Sequence, residues 1–453
     1  MTVSAGAKAR WWKGITGYQW FVFAVAAGGW LFDNLDQRIF SLARITALQD
    51  LMGPHASMLD VQAFAKQATA LFLIGWGIGG LTFGALGDRF GRARLLTIAI
   101  LIYSICTGLT AICQTHWEFA LLRLATGVGV GGVFGLAVAL IAETVSGAAR
   151  LAMLALLQVL STVGNIGAAF AKMGVDTLAS QQTIPADGSW RWLFAIGAIP
   201  ALLAVASGMF LREAEPWLKL KQAGALPKGW LGSYGQLLAD REERRNLLIG
   251  TLLAVAGVVG LWAVGEYAVD LQDAVFTTYF AAQNNGGNIA AQVAQAKNWA
   301  YLLQMVGGAM GMLIFTYIAD RYGRRPAFTI GFSAAFVMTL FVYWRLETPT
   351  DAYWMMPLMG AAQLSVFAGF SIYLPELFGA RVRGTGVSFA YNLGRFAAAG
   401  GSFASALLST RMFAGFDAPA PLRYSAMVMC AVFLIGIVAS RFAPETRGMS
   451  LRD

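Results

Sequence analysis

Histidine and cysteine are almost missing from this chain, with two and three among 453 residues. His55 and His116 stand apart, and Cys106, Cys113 and Cys430 sit singly in apolar runs. No metal-ligand spacing, nucleophile–base set or disulfide framework can be assembled from them. That argues against a metalloenzyme, a triad hydrolase and a stapled secreted domain, and no cofactor is expected. Charge is scarce as well. Asp, Glu, Lys and Arg make up 13% of the residues, where a water-soluble chain carries about 25%.

What is present is apolar. Hydrophobic residues reach 57%, gathered into windows of about 20 nearly uncharged residues, each long enough to cross roughly 30 Å of hydrocarbon. The chain therefore reads as an all-α, polytopic membrane protein with the lipid bilayer as its surroundings. Its net charge of +9 does not call for nucleic acid. The Lys and Arg residues fall at the N-terminus, in alternate short turns, in the stretch 212–245 and at the C-terminus, as expected of segments on the cytoplasmic side.

In order, spans are expected at about 18–44, 67–87, 95–114, 118–142, 151–175 and 191–211, then at about 246–279, 298–318, 326–345, 354–375, 385–410 and 422–442. Twelve spans put both termini on one side, and the basic tails make that side the cytoplasm. Residues 1–211 form one expected half and 246–453 the other, joined by a charged, Pro- and Gly-interrupted linker at 212–245.

The halves repeat. Residues 84–94, GALGDRFGRAR, return as YIADRYGRR at 317–325, so that Asp88, Arg89, Gly91 and Arg92 recur as Asp320, Arg321, Gly323 and Arg324, each 232 positions on. Glu143 and Arg150 recur as Glu376 and Arg383, 233 positions on. Two independent charge motifs at nearly one offset point to homologous six-helix bundles.

Those turns, Arg123-x-x-x-Gly127-x-x-x-Gly131, the segment from Arg212 to Leu218, and Pro444-Glu445-Thr446-Arg447-Gly448 together resemble the major facilitator superfamily along essentially the whole chain. Asp33-Asn34-Leu35-Asp36 is similar to the Asp-Gly-x-Asp of its metabolite:proton symporters, with Asn34 in place of the glycine. Residues 375–395 look like the corresponding region of its carboxylate and organic-anion carriers. The resemblance implies a secondary transporter working by alternating access, with a proton gradient and no bound cofactor. The expected setting is a bacterial cytoplasmic membrane and the expected state a monomer. It also implies that the arginine in the fourth helix, Arg123, relays charge during proton transfer.

In that frame the repeated turns are a gate. Asp88 and Asp320 can accept hydrogen bonds at a neighbouring helix N-terminus, while Arg89, Arg92, Arg321 and Arg324 can pair with Glu143 or Glu376, joined by Arg150 and Arg383. Charges inside the membrane are the sharper signal, since each costs about 2.5–3.5 kcal/mol even on lenient scales. Asp33 and Asp36 lie near mid-membrane, and Glu266 is the pseudo-symmetric mate of Asp33. A carboxyl held in low dielectric favours its protonated form, which suits proton coupling, but the same acids are also placed to pair permanently with Arg38, Arg44 or Arg123. Arg395 stands alone in an otherwise uncharged helix and invites a bidentate carboxylate. Asn392, Tyr391, Asn165, Gln158, Gln363, Gln304 and Trp30 complete the expected binding wall. A small organic anion, probed first as a carboxylate, is the expected substrate. A sugar porter, an uncoupled facilitator and a nutrient sensor are the alternatives.

Overall fold

The computed structural model describes residues 11–53, 55–185, 188–229, 232–283, 288–413, 415–416 and 419–452. The first half holds α1 (Gly17–Met52), α2 (Met58–Phe90), α3 (Arg92–Thr110), α4 (His116–Thr144), α5 (Gly147–Ser180) and α6 (Trp190–Phe210, interrupted at residues 197–199). Two short helices follow, α7 (Glu215–Gln222) and α8 (Gly232–Ala239). The second half holds α9 (Arg241–Gln283), α10 (Ile289–Arg321), α11 (Arg324–Arg345), α12 (Pro349–Leu377), α13 (Arg383–Leu407) and α14 (Ala420–Phe442). No strand occurs among the described residues.

Ten of the twelve long rods are long and apolar enough to cross a membrane. The other two, α1 with 36 residues and α13 with 25, have the length. Each carries buried charge that dilutes its apolar character: Asp33 and Asp36 in α1, Arg395 in α13.

Several rods begin earlier than hydropathy alone suggests, because polar caps start them outside the apolar window. Ser57 accepts the Asp60 N–H and starts α2 at Met58, and Asn288 accepts the Ala291 N–H and starts α10 at Ile289. Asp240 accepts the Glu242 and Glu243 N–H groups, so α9 starts at Arg241, inside the stretch expected as linker. The backbone N–H groups of Glu243 and then Glu242 hold the Asp240 carboxyl below its usual range. A π-helical turn at Gly260–Val264 breaks α9 just before Glu266, a local irregularity of the kind that often marks a functional segment.

The offset seen in the sequence is a structural repeat. Gly91 and Gly323, which end the two basic turns, both have φ of 108°, a backbone conformation that side chains with a Cβ rarely adopt. Inside each half the second and fourth rods touch backbone to backbone. A Cβ on Gly79 would meet Val128 of α4, and one on Gly311 would meet Ala361 of α12. The two halves meet along α2 and α13, and along α5 with α10 and α12. There the Ser371 hydroxyl donates to the Leu154 carbonyl at 2.9 Å.

Both ends of the described chain lie at one end of the bundle. Gln19 in the first turn of α1 donates to the Thr144 carbonyl at the close of α4, and Thr446 donates to Glu376 at the close of α12. The repeated Arg-rich turns are there too, and this is called the basic end below. The linker helices cover it: Trp217 of α7 donates to the Asp88 carbonyl, and Tyr234 of α8 to that of Leu81.

Candidate functional site

At the basic end the halves are latched by charges that no water reaches. Asp88 is 1% exposed and reaches from α2 to the first turn of α13. It accepts the Gly384 N–H at 3.0 Å, the Thr385 N–H at 2.8 Å and the Thr385 hydroxyl at 2.7 Å. A carboxylate at a helix N-terminus satisfies free N–H donors and meets the positive end of the helix dipole. Arg92 pairs with Asp88 at 2.8 Å and with Glu143, and donates to the Ala380 carbonyl of the other half. Glu143 also takes Arg383 across the interface.

The second half repeats the local part of this arrangement and not the crossing. Arg324 grips Glu376 with two bonds, at 2.7 and 3.0 Å, where Arg92 holds Glu143 with one. Asp320 is exposed, in contrast to Asp88. Arg150, expected to act with Glu143 and Glu376, makes no ion pair with either. Arg89 and Arg321 lie over the rings of their neighbours Phe90 and Tyr322, at 4.8 and 5.9 Å, outside the ionic network.

Two carboxylates complete the basic end, and neither was expected to. Glu213 accepts the N–H groups of Ala93 and Arg94 at the start of α3, and Glu445 accepts those of Arg324 and Arg325 at the start of α11. The signal was in the sequence: Glu213 and Glu445 are 232 positions apart, the offset of the basic turns themselves.

Deeper in the bundle the expected charges separate into two groups. Asp36 turns toward α3 and α4, where it accepts the Thr107 hydroxyl at 2.8 Å and meets Arg123 at 3.5 Å. Arg123 in turn donates to Thr110 at 2.7 Å and lies 4.9 Å from the Phe194 ring centre. Asp33 is fully buried and accepts only the Gln37 amide, at 2.8 Å, leaving its second oxygen without a partner. The Glu266 side chain lies outside the described residues.

Arg395 is 9% exposed and makes no ion pair among the described residues. Its guanidinium carbon lies over Trp76 of α2, 3.1 Å from the ring centre, and 5.0 Å from that of Tyr391. Cation–π contact compensates part of its lost hydration, yet its Nε has no hydrogen-bond partner. Around it an aromatic wall forms. Tyr391 stacks on Phe134 at 4.0 Å, and Trp30 lies 5.0 Å from Phe134 and 6.3 Å from Tyr391. The Trp30 indole N–H and the Asn392 amide oxygen are buried without partners. Gln158 has an unpartnered amide oxygen in the neighbouring α5.

Three expected binding residues are engaged elsewhere. Asn165 accepts the Tyr301 hydroxyl at 3.2 Å, and Arg38 covers the Tyr301 ring at 3.9 Å, which makes a separate bridge between α1, α5 and α10. Gln363 turns toward α11 and donates to Thr339 at 3.0 Å. Gln304 packs on Gly360 within the second half. Trp76, the partner Arg395 does have, was not anticipated, because a single tryptophan in an apolar helix looks like any lipid-facing or packing residue.

Known proteins resemble this chain along most of its length. A putative metabolite transport protein of Haemophilus influenzae is 27% identical over 447 residues, covering 96% of this chain and 99% of its own length. The cis,cis-muconate transport protein of Acinetobacter baylyi is 26% identical, covering 84% of each. The structure of the proton:xylose symporter XylE bound to 6-bromo-6-deoxy-D-glucose superposes with a TM-score of 0.73 at 20% identity, over 96% of this chain and 98% of that one, which shows a common fold. The family model for the Major Facilitator Superfamily matches residues 15–402. This chain belongs to the major facilitator superfamily, an integral membrane transporter and not an enzyme.

Proposed function

We propose that the protein is a proton-coupled symporter of small organic anions, with a carboxylate as the recognised group. The observation that carries this is Arg395: a buried guanidinium with no acidic partner among the described residues and with a free Nε donor, beside two other unpartnered polar groups. An uncompensated buried charge is costly, and a substrate carboxylate offsets that cost with bidentate, charge-assisted bonds. A neutral sugar brings no such counter-charge, so the anion reading is favoured over the sugar reading. The name of the muconate relative agrees with it.

Asp33 is the proton carrier in this reading. It is buried with one free oxygen and makes no ion pair among the described residues, so taking up a proton neutralises a carboxylate that is only partly satisfied. Asp36 and Arg123 form the adjacent relay. The basic end faces the cytoplasm, as its arginines require. Asp88, Arg92, Glu143 and Arg383 close that side while the binding region faces the other, and the halves rock about it.

Proteoliposomes test this directly. Muconate and aromatic carboxylates should accumulate under an inward proton gradient and not without one. Arg395→Gln should lower uptake efficiency by roughly 30- to 1000-fold, the cost of stranding one member of a buried charge pair. Wild-type uptake by Arg395→Gln would overturn the anion site, and accumulation indifferent to the gradient would overturn coupling.

A further inference from the structure

The asymmetry at the basic end leaves a cleft of about 1020 Å³ between the halves, lined by six arginines and only two acids. Three of the arginines are spoken for. Arg324 belongs to Glu376, Arg383 to Glu143, and Arg452 reaches Glu242 at 2.9 Å. Arg321 stays over Tyr322. Arg150, on the first turn of α5, and Arg447, on the C-terminal segment, have guanidinium groups with no hydrogen bond or ion pair among the described residues.

Pseudo-symmetry says what Arg150 lacks. Its mate Arg383 crosses to Glu143, so Arg150 should cross to Glu376. Both oxygens of Glu376 are already occupied: Oε1 by Arg324, and Oε2 by Arg324 and Thr446. Arg150 makes no bond to Glu376, so the second crossing is not closed, and Arg150 lines the cleft instead. The uncapped N-terminus of α5 opens on the same space, whereas those of α3, α11 and α13 are met by Glu213, Glu445 and Asp88.

We infer that this cleft is an anion site for a phosphate group, held by Arg150 from the first half and Arg447 from the second. It bridges the two halves where Arg150 makes no direct bond to Glu376, and so tightens the latched arrangement. Phosphate suits two guanidinium groups better than chloride does, because each can donate a pair of parallel bonds to its oxygens. The group comes either as a free phosphate or as a phospholipid headgroup at the membrane surface.

The test uses the full-length protein. In detergent, inorganic phosphate is titrated against chloride at constant ionic strength and the thermal midpoint is followed. In a second arm the protein is placed in nanodiscs of phosphatidylglycerol or phosphatidylcholine. Phosphate should raise the midpoint saturably, by roughly 2–4 °C, and Arg150→Gln should abolish the rise while Arg395→Gln retains it, which separates this site from the transport site. A rise with phosphatidylglycerol alone, lost in Arg150→Gln, identifies a headgroup as the source. Arg447→Gln, at an exposed position outside any ion pair, is the second variant should Arg150→Gln not fold, and it must weaken the same response. No gain from phosphate over chloride and none from phosphatidylglycerol over phosphatidylcholine, or a gain that Arg150→Gln and Arg447→Gln leave equal to the parent's, overturns the assignment.

Discussion

Asp88→Asn isolates the contribution of the latch between the halves. The aspartate keeps one oxygen on the Gly384 N–H and Arg92, and the other on the Thr385 N–H and hydroxyl. An amide of the same shape retains one oxygen and turns an NH2 group toward donors, so two charge-assisted bonds to α13 are lost at about 1.5 kcal/mol or more each. A loss of about 3 kcal/mol is a roughly hundredfold change in an equilibrium constant. Those two bonds exist only while α2 and α13 are together, so the loss falls on the latched arrangement, and a 99:1 preference for it would become about even. Spin labels at Ser146→Cys and Tyr322→Cys, facing each other across the cleft, report the separation once Cys106, Cys113 and Cys430 are replaced. Double electron–electron resonance should show one short distance in the parent and an added longer component in Asp88→Asn. Asp320→Asn is the control, since an exposed carboxylate at the rim should shift the ratio by less than about threefold. An unchanged distance distribution in folded Asp88→Asn would refute the idea that this carboxylate holds the halves together.

Glu213→Gln and Glu445→Gln should each lower the thermal midpoint through loss of about 1 kcal/mol of helix capping, and the double variant should add the two, because the caps serve different helices; a strongly non-additive melt would mean the caps are coupled through the latch. Asp36→Asn leaves Arg123 buried beside neutral hydroxyls and should abolish gradient-driven accumulation while substrate exchange at equal pH continues, a split read by comparing the two assays on one preparation. Trp76→Leu removes the face on which Arg395 rests, a desolvated cation–π contact of up to about 2 kcal/mol, and in protein that still folds despite the lost core packing should raise the half-saturating anion concentration by roughly tenfold or more.

The parts of this molecule that were legible in the chain share a physical cause: they repeat or they are expensive. The basic turns recur at one offset, and the helices that each turn joins were all expected, although α2 and α10 start about nine residues before their apolar windows. Buried charge is costly enough in hydrocarbon to be conspicuous, which is why Asp33, Asp36, Arg123 and Arg395 stood out before any coordinates did. Direction was less legible than existence. Asp33 and Asp36 are three residues apart and were both expected near mid-membrane, but they part company there, Asp36 turning to Thr107 and Arg123. Gln363 and Asn165, equally polar, turn to Thr339 and Tyr301, and the Gln363 amide oxygen is left without a partner. A side chain able to make several hydrogen bonds takes the partner that packing offers, and packing is non-local.

Asymmetry was the least legible feature, because a repeat in sequence invites a repeat in contacts. Glu143 and Glu376 occupy equivalent positions and hold equivalent arginines, Arg92 and Arg324. They differ in what takes up their remaining capacity. Thr446 folds back onto Glu376 from beyond the last span, whereas Glu143 is left to bind Arg383 of the other half. One crossing is closed and its mate is open. A pair of homologous halves can thus carry a gate with one firm side and one adjustable side, and the adjustable side is where a soluble or membrane-borne anion can act on it.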